Sequence, residues 1–371
     1  MALVRDSTEP ATATATGRGR RRAALTVAVT GAAGEPGRAL AAKLAAHESV
    51  RKVVAIDDHR GDVGGVSWRV LDVRDPVIAA RFGGVDTVVH LAVDMSVDTD
   101  RHARTALNVR GTQTVLTAAA AAGVKRVVLW TSAKVYGAQP DNPVPLDEDG
   151  PLRATAEGSL IGDLLEIERL AERAPRTYPG LSVTVVRPAM MVGPNVDTFL
   201  TRHFEAPRLL VVRESSPAWQ FCHIDDLVSA LEFAALGAVE GSVTVGCDGW
   251  LEQDEVERLS GLRRIELPAS VAFGTADRLH RLGVIPAAAS DLAYVTYPWV
   301  VPSMRLRAAG WRPLYDNLTA FEALLAETEG RHAVGARRLG RRDATIGAAS
   351  ATVAILGTAA VVRRARKRRA P

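Results

Sequence analysis

Cysteine and lysine are scarce in this 371-residue chain. Its two cysteines, Cys222 and Cys247, are too few for a disulfide framework and share no metal-ligand spacing. A bridge-stapled secreted fold and a cysteine metal centre are thereby excluded, no metal site is expected, and a reducing cytoplasm is the expected location. The five lysines stand at 43, 52, 125, 134 and 367, with none between Lys134 and Lys367. Tyrosine is as sparse: none occurs between Tyr136 and Tyr178. The apolar run over residues 23–29 is too short for a signal-peptide core with its cleavage site.

The formal net charge of +4 is unevenly placed. Arg18, Arg20, Arg21 and Arg22 lie at one end, and Arg337, Arg338, Arg341, Arg342 and the cluster from Arg363 to Arg369 at the other. The body between them is acidic, so the basic balance does not indicate nucleic-acid binding. Residues 1–22, rich in Thr and Ala, read as a disordered basic arm. After Asp343, the 19 residues 344–362 carry no charge. As a helix such a run spans about 28 Å, close to a bilayer core of about 30 Å. Only Ile346, Val353, Ile355, Leu356, Val361 and Val362 in it are strongly apolar. Two readings follow: a C-terminal membrane anchor, its arginines held in the cytoplasm, or an Ala-rich surface helix.

Between these ends, short apolar segments alternate with helical ones. Residues 25–29, 53–56, 68–71, 86–92, 126–130, 183–187 and 243–246 read as strands, and 37–47 and 108–122 as helices. The strand segments are nearly continuous in apolar residues, as parallel strands buried on both faces require. The rhythm predicts an α/β fold with a doubly wound parallel sheet of Rossmann type. The cofactor domain is expected over 23–190, a small C-terminal substrate subdomain interleaved with the last sheet strands over 191–330, and a tail over 331–371.

The first strand runs into Thr30-Gly31-Ala32-Ala33-Gly34-Glu35-Pro36-Gly37. Three glycines at this spacing serve distinct needs: Gly31 the turn, Gly34 close approach of backbone to a pyrophosphate, and Gly37 tight packing of helix on strand. The helix N-terminus then offers free N–H groups and a favourable dipole to phosphate. Asp57 ends the second strand, where a carboxylate bonds the adenosine ribose and repels a 2′-phosphate. The expected cofactor is therefore NAD rather than NADP.

From about residue 24 to 325 the chain resembles the extended short-chain dehydrogenase/reductases, the NAD-dependent epimerase/dehydratase family. The glycine turn carries the likeness, with Asp72-Val73, His90-Leu91-Ala92, Asn108-Val-Arg-Gly111-Thr112 and Thr131-Ser132-Ala-Lys134-Val-Tyr136-Gly137. Arg187-Pro188, Val192-Gly193-Pro194, Phe221-Cys-His223-Ile-Asp225-Asp226 and Gly310-Trp311-Arg-Pro313 extend it. The resemblance implies that Gly31, Ala33, Gly34, Glu35, Pro36, Gly37, Asp57, Asp72, Val73, Leu91, Ala92, Asn108 and Pro188 contact the cofactor. It also implies a nucleotide sugar or similar small-molecule substrate and a homodimer formed through a helix bundle.

One motif departs from the family. Ser132 matches the catalytic serine, but the Tyr-x-x-x-Lys pair aligns with Leu160 and Leu164, and no shift of register supplies either residue. Leucine cannot move a proton or stabilise an oxyanion. Lys134, two residues after Ser132, is the candidate replacement. Tyr136, His90 and His223 with Asp225 and Asp226 are expected to support the fold, whereas Asp94 and Asp98 either face the cleft or are merely solvated. Three functions compete: an NAD(H)-binding enzyme with substituted acid–base chemistry acting on a nucleotide sugar or envelope precursor, a non-catalytic NAD-binding regulatory or scaffold module at the membrane, and a degenerate chain that binds nothing. The retained glycines and Asp57 speak against the third.

Overall fold

Branched apolar side chains dictate the centre of the molecule. Val27, Val29, Val54, Ile56, Val88, Val89, Val127 and Leu129 are each at most 4% exposed. Their strands are covered on both faces, and an uninterrupted valine-rich run is stable only there. In the computed structural model, residues 24–331 are described apart from 97, 156–158 and 283–288, with two short strands, Ala333–Val334 and Arg337–Arg338, beyond them.

The main sheet comprises β1 (Leu25–Thr30), β2 (Val50–Asp57), β3 (Ser67–Val70), β4 (Thr87–His90), β5 (Arg126–Trp130), β6 (Ser182–Pro188) and β7 (Gly241–Val245). All pair in parallel, in the order β7-β6-β5-β4-β1-β2-β3. The order reverses between β1 and β4, and ligands of doubly wound sheets bind at the carboxyl ends of such strands. The flanking helices are α1 (Gly37–Ala45), α2 (Gly111–Ala121), α3 (Leu160–Thr177) and α4 (Ile224–Ala235). Here α1 packs on α4, and α2 on α3. Because α4 and β7 belong to the sheet layers, the C-terminal part interleaves with the cofactor-binding half.

The remaining segments build a smaller lobe beside the carboxyl ends of the strands. It holds three two-strand pairs: Met190–Val192 with Phe221–His223, Leu209–Val212 with Arg264–Leu267, and Ala218–Trp219 with Leu251–Glu252. Phe204, Trp219, Phe221 and Phe321 pack ring against ring at its centre, with centroids 5.1–5.3 Å apart. Helices α5 (Ala269–Arg281) and α6 (Asn317–Thr328) complete it.

Two helix boundaries differ from expectation. The first helix stops at Ala45 rather than 47. The helix expected from 108 starts at Arg101, because the Asp100 carboxylate accepts from the N–H groups of His102 and Ala103 at 3.0 Å each. Its early turns are polar, so apolar periodicity does not reveal them. Between Thr105 and Gly111 it passes through one π-helical turn that holds Asn108. Among the described residues no helix is long and apolar enough to cross a membrane. The arm over 1–22 and the uncharged run 344–362 lie outside the described residues.

Candidate cofactor and substrate cleft

The glycine turn has the geometry its sequence demands. Gly31 adopts φ +70°, and a Cβ there would come within 2.6–2.7 Å of the Leu91 and Ala92 backbone. A Cβ on Gly37 would stand 2.0 Å from the Gly31 carbonyl oxygen. Gly34 differs, since a Cβ there would meet nothing within 4 Å. The protein itself does not require glycine at 34, which leaves space for a ligand to press against the backbone. No side chain caps the first turn of α1; its Arg38 N–H bonds the Gly34 carbonyl at 2.8 Å, which leaves the other N–H groups of that turn for an anion.

At the end of β2 the Asp57 carboxylate accepts from the N–H of Ala33 at 2.8 Å and of Asp58 at 2.9 Å. It thereby ties strand to turn, and each oxygen keeps a lone pair for a ribose hydroxyl. Burial raises its pKa from 3.8, while the two main-chain bonds oppose the shift. Glu35 forms an ion pair with Arg38 one turn on. Asp72 is held by Arg74, which lowers its pKa, and the buried Val73 lies beneath Gly111. This set fits a dinucleotide: a backbone cradle, an uncapped helix terminus and a strand-end carboxylate.

Beyond the turn opens a cleft of about 650 Å³, within the size range of small-molecule sites. Glu35 borders it on one side, Ser132 and Lys134 after β5 on another, and Leu160 and Leu164 of α3 on a third. Pro188, Met190 and Met191 after β6 close the far wall. Leu164 is wholly buried, Leu160 half-buried, and Ser132 partly exposed. The Ser132 hydroxyl accepts from the Lys134 N–H at 3.3 Å. The Lys134 amine lies 5.7 Å from the centre of the Tyr294 ring, whose hydroxyl donates to the Lys134 carbonyl at 2.7 Å. Burial pushes the lysine pKa below 10.5, and the charge of Asp291 opposes this. Lys134 is the one lysine, and no tyrosine appears, among the described residues lining the cleft.

Buried charge fixes α3 in place. Asp163 accepts from Arg104 Nε at 2.9 Å and from the Thr105 hydroxyl at 2.7 Å. Glu168 holds Arg187 through two bonds, of 2.9 and 2.7 Å, and accepts from Thr131 at 2.7 Å. Arg187 also donates to the Tyr136 hydroxyl, which itself donates to the Glu148 carbonyl at 2.6 Å. Tyr136 is thus a support of the fold.

His90, without exposure, lies between the hydroxyls of Thr30 (2.7 Å) and Thr112 (3.2 Å). His223 stacks on Tyr315 and accepts from the Asp225 N–H, while Asp226 accepts from the N–H groups of Leu314 and Tyr315. Asn108 is fully buried, and its amide is spent on the Asp94 backbone and on Asp163. Asp94 accepts from the Ser96 N–H, Asp98 pairs with Arg202, and neither belongs to the lining. Trp130, Met190 and Met191 escape a motif search, yet all follow from their position at strand carboxyl ends.

Comparison with known proteins agrees with this architecture. The model of the NAD-dependent epimerase/dehydratase family matches residues 27–245. An uncharacterized protein of Mycobacterium tuberculosis is 32% identical over 311 residues, covering 80% of this chain and 82% of its own. A dTDP-glucose 4,6-dehydratase of Streptomyces griseus is 32% identical over 173 residues, 43% of this chain and 50% of that enzyme. Among solved structures, MoeE5 in complex with UDP-glucuronic acid and NAD superposes with a TM-score of 0.62 at 25% identity, covering 82% of this chain and 98% of MoeE5. The chain belongs to the NAD-dependent epimerase/dehydratase family.

Proposed function

We propose that this chain binds NAD(H) through the Gly31–Gly37 turn and Asp57, and oxidises or reduces a carbinol or carbonyl group placed beside Ser132, with Lys134 as the acid–base. The observation that carries the reading is Ser132 and Lys134 side by side on one ligand-sized cleft that also reaches the glycine turn. In this alignment Leu160 and Leu164 occupy the family's Tyr and Lys positions, so the standard proton transfer has no residue to run on. NAD, when bound, supplies the hydride acceptor.

The remaining roles fall to the chain's own groups. Ser132 donates a hydrogen bond to the substrate oxygen. Lys134, its amine drawn toward neutrality by burial, accepts the hydroxyl proton at Nζ. Asp291 balances the resulting ammonium. Leu160 and Leu164 keep water from the reacting carbon. A second reading, a non-catalytic NAD-binding module, is favoured by the apolar wall that these leucines form.

The dTDP-glucose 4,6-dehydratase acts on, and MoeE5 binds, a nucleotide sugar, and that class is the first to be screened here. NADH formation from NAD⁺ with candidate substrates, followed against pH, tests the assignment. Lys134→Met is expected to abolish turnover with NAD⁺ affinity unchanged, and Lys134→Arg to abolish it as well, because a guanidinium stays protonated and cannot accept the proton. Undiminished turnover in Lys134→Met excludes lysine as the acid–base.

A further inference from the structure

Resting on the reading that NAD(H) occupies the glycine turn, we infer that the cleft beyond Ser132 takes an uncharged alcohol or ketone on an apolar body, not a nucleotide diphosphate. A sugar nucleotide brings two desolvated phosphates, which need cations not already neutralised. The described lining residues offer few. Arg104 is buried and committed to Asp163 at 2.9 Å. The Lys134 amine sits over the Tyr294 ring within the field of Asp291. Arg202, behind the wall, is bound to both Asp98 and Asp197. Among the described lining residues Arg101 is the one exposed arginine, with His280 an exposed imidazole. Against these, Glu35, Asp197 and Asp291 place three carboxylates in the wall, Glu35 paired with Arg38 and Asp197 with Arg202, so that the described lining holds as many carboxylates as Arg and Lys side chains.

What the cleft offers instead is apolar surface. Met95, Met191 and Phe199 are half-buried, and Leu200, Met190 and Ile224 complete the wall behind them. Unbranched methionines adapt to irregular hydrocarbon shapes. An unused buried polar handle is present as well. The Trp130 indole N–H is the sole buried polar side-chain atom without a partner among the described lining residues. An indole N–H donates only, so it suits a neutral hydroxyl or keto oxygen.

The test uses the full-length chain in two steps. NAD⁺ is titrated first; failure to bind removes the underlying reading and the inference with it. The NAD⁺-saturated protein is then titrated with 2-hexanol, 2-octanol and 2-decanol, and separately with UDP and UDP-glucose. Affinity is expected to rise about fourfold per added methylene, the value of burying one CH₂, with no saturable binding of either uridine compound. Met191→Glu is expected to weaken alkanol binding at least tenfold while NAD⁺ affinity holds. Phe199→Ala supplies the same readout should that variant not fold. Saturable UDP-glucose binding, or alkanol affinity independent of chain length or absent, overturns the inference while leaving the NAD⁺ reading intact.

Discussion

Gly31 and Gly34 are three residues apart in one turn, yet the structure assigns them opposite sensitivities. A side chain at Gly31 meets backbone, not a yielding side chain, and φ +70° adds strain. Gly31→Ala is expected to cost about 2 kcal/mol or more in urea denaturation and to abolish cofactor binding. Gly34→Ala meets empty space, so its folding stability should stay within about 0.5 kcal/mol of the parent. Its NAD⁺ affinity should nonetheless fall at least tenfold, since the new methyl enters the space kept for pyrophosphate. Equal losses in both assays for both variants would refute this division. These residues were legible in the sequence because the turn and Asp57 act locally. Arg104 was not, since its partner Asp163 stands on another element and no local pattern links them.

At the scale of elements, α3 is the part on which the cleft depends. It carries Leu160 and Leu164 into the wall and is pinned by two buried ion pairs. Glu168→Gln leaves Arg187 buried without its counter-charge, and a loss of about 3–5 kcal/mol is expected in urea denaturation. Less than about 1 kcal/mol would show that the pair is dispensable. Installing the family pair through Leu160→Tyr with Leu164→Lys is expected not to restore robust turnover of a nucleotide sugar, because the apolar Met190, Met191 and Phe199 stay in the wall. Such turnover, measured by NADH absorbance, would contradict that view. The sheet strands could be read from their valine runs to within a few residues. The smaller lobe could not, because Leu209–Val212 and Arg264–Leu267 pair across a long stretch of chain and neither shows a clear period. The methionines of the wall carry no motif at all and acquire meaning only from their place beyond β6.

For the molecule as a whole, the buried histidines are expected to contribute to the acid limit of stability. Burial holds His90 neutral, with its pKa lowered from 6.5 to about 4. A depressed folded pKa gives stability that is present above the unfolded value and lost as pH falls toward the folded one. The shift corresponds to roughly 3 kcal/mol, so the urea midpoint should drop steeply between pH 6.5 and 4. His203 shifts in the same direction. His90→Gln, which cannot protonate, is expected to flatten that decline, whereas an unchanged slope would place its origin elsewhere.

Every functional statement about this fold depends on the cofactor, and calorimetric titration of the full-length chain with NAD⁺, NADH and NADP⁺ tests that dependence most directly. Micromolar binding of NAD⁺ and NADH is expected, with distinctly weaker binding of NADP⁺ and loss of the NAD⁺ signal in Asp57→Ala. Binding of none of the three, or a preference for NADP⁺, would contradict this expectation.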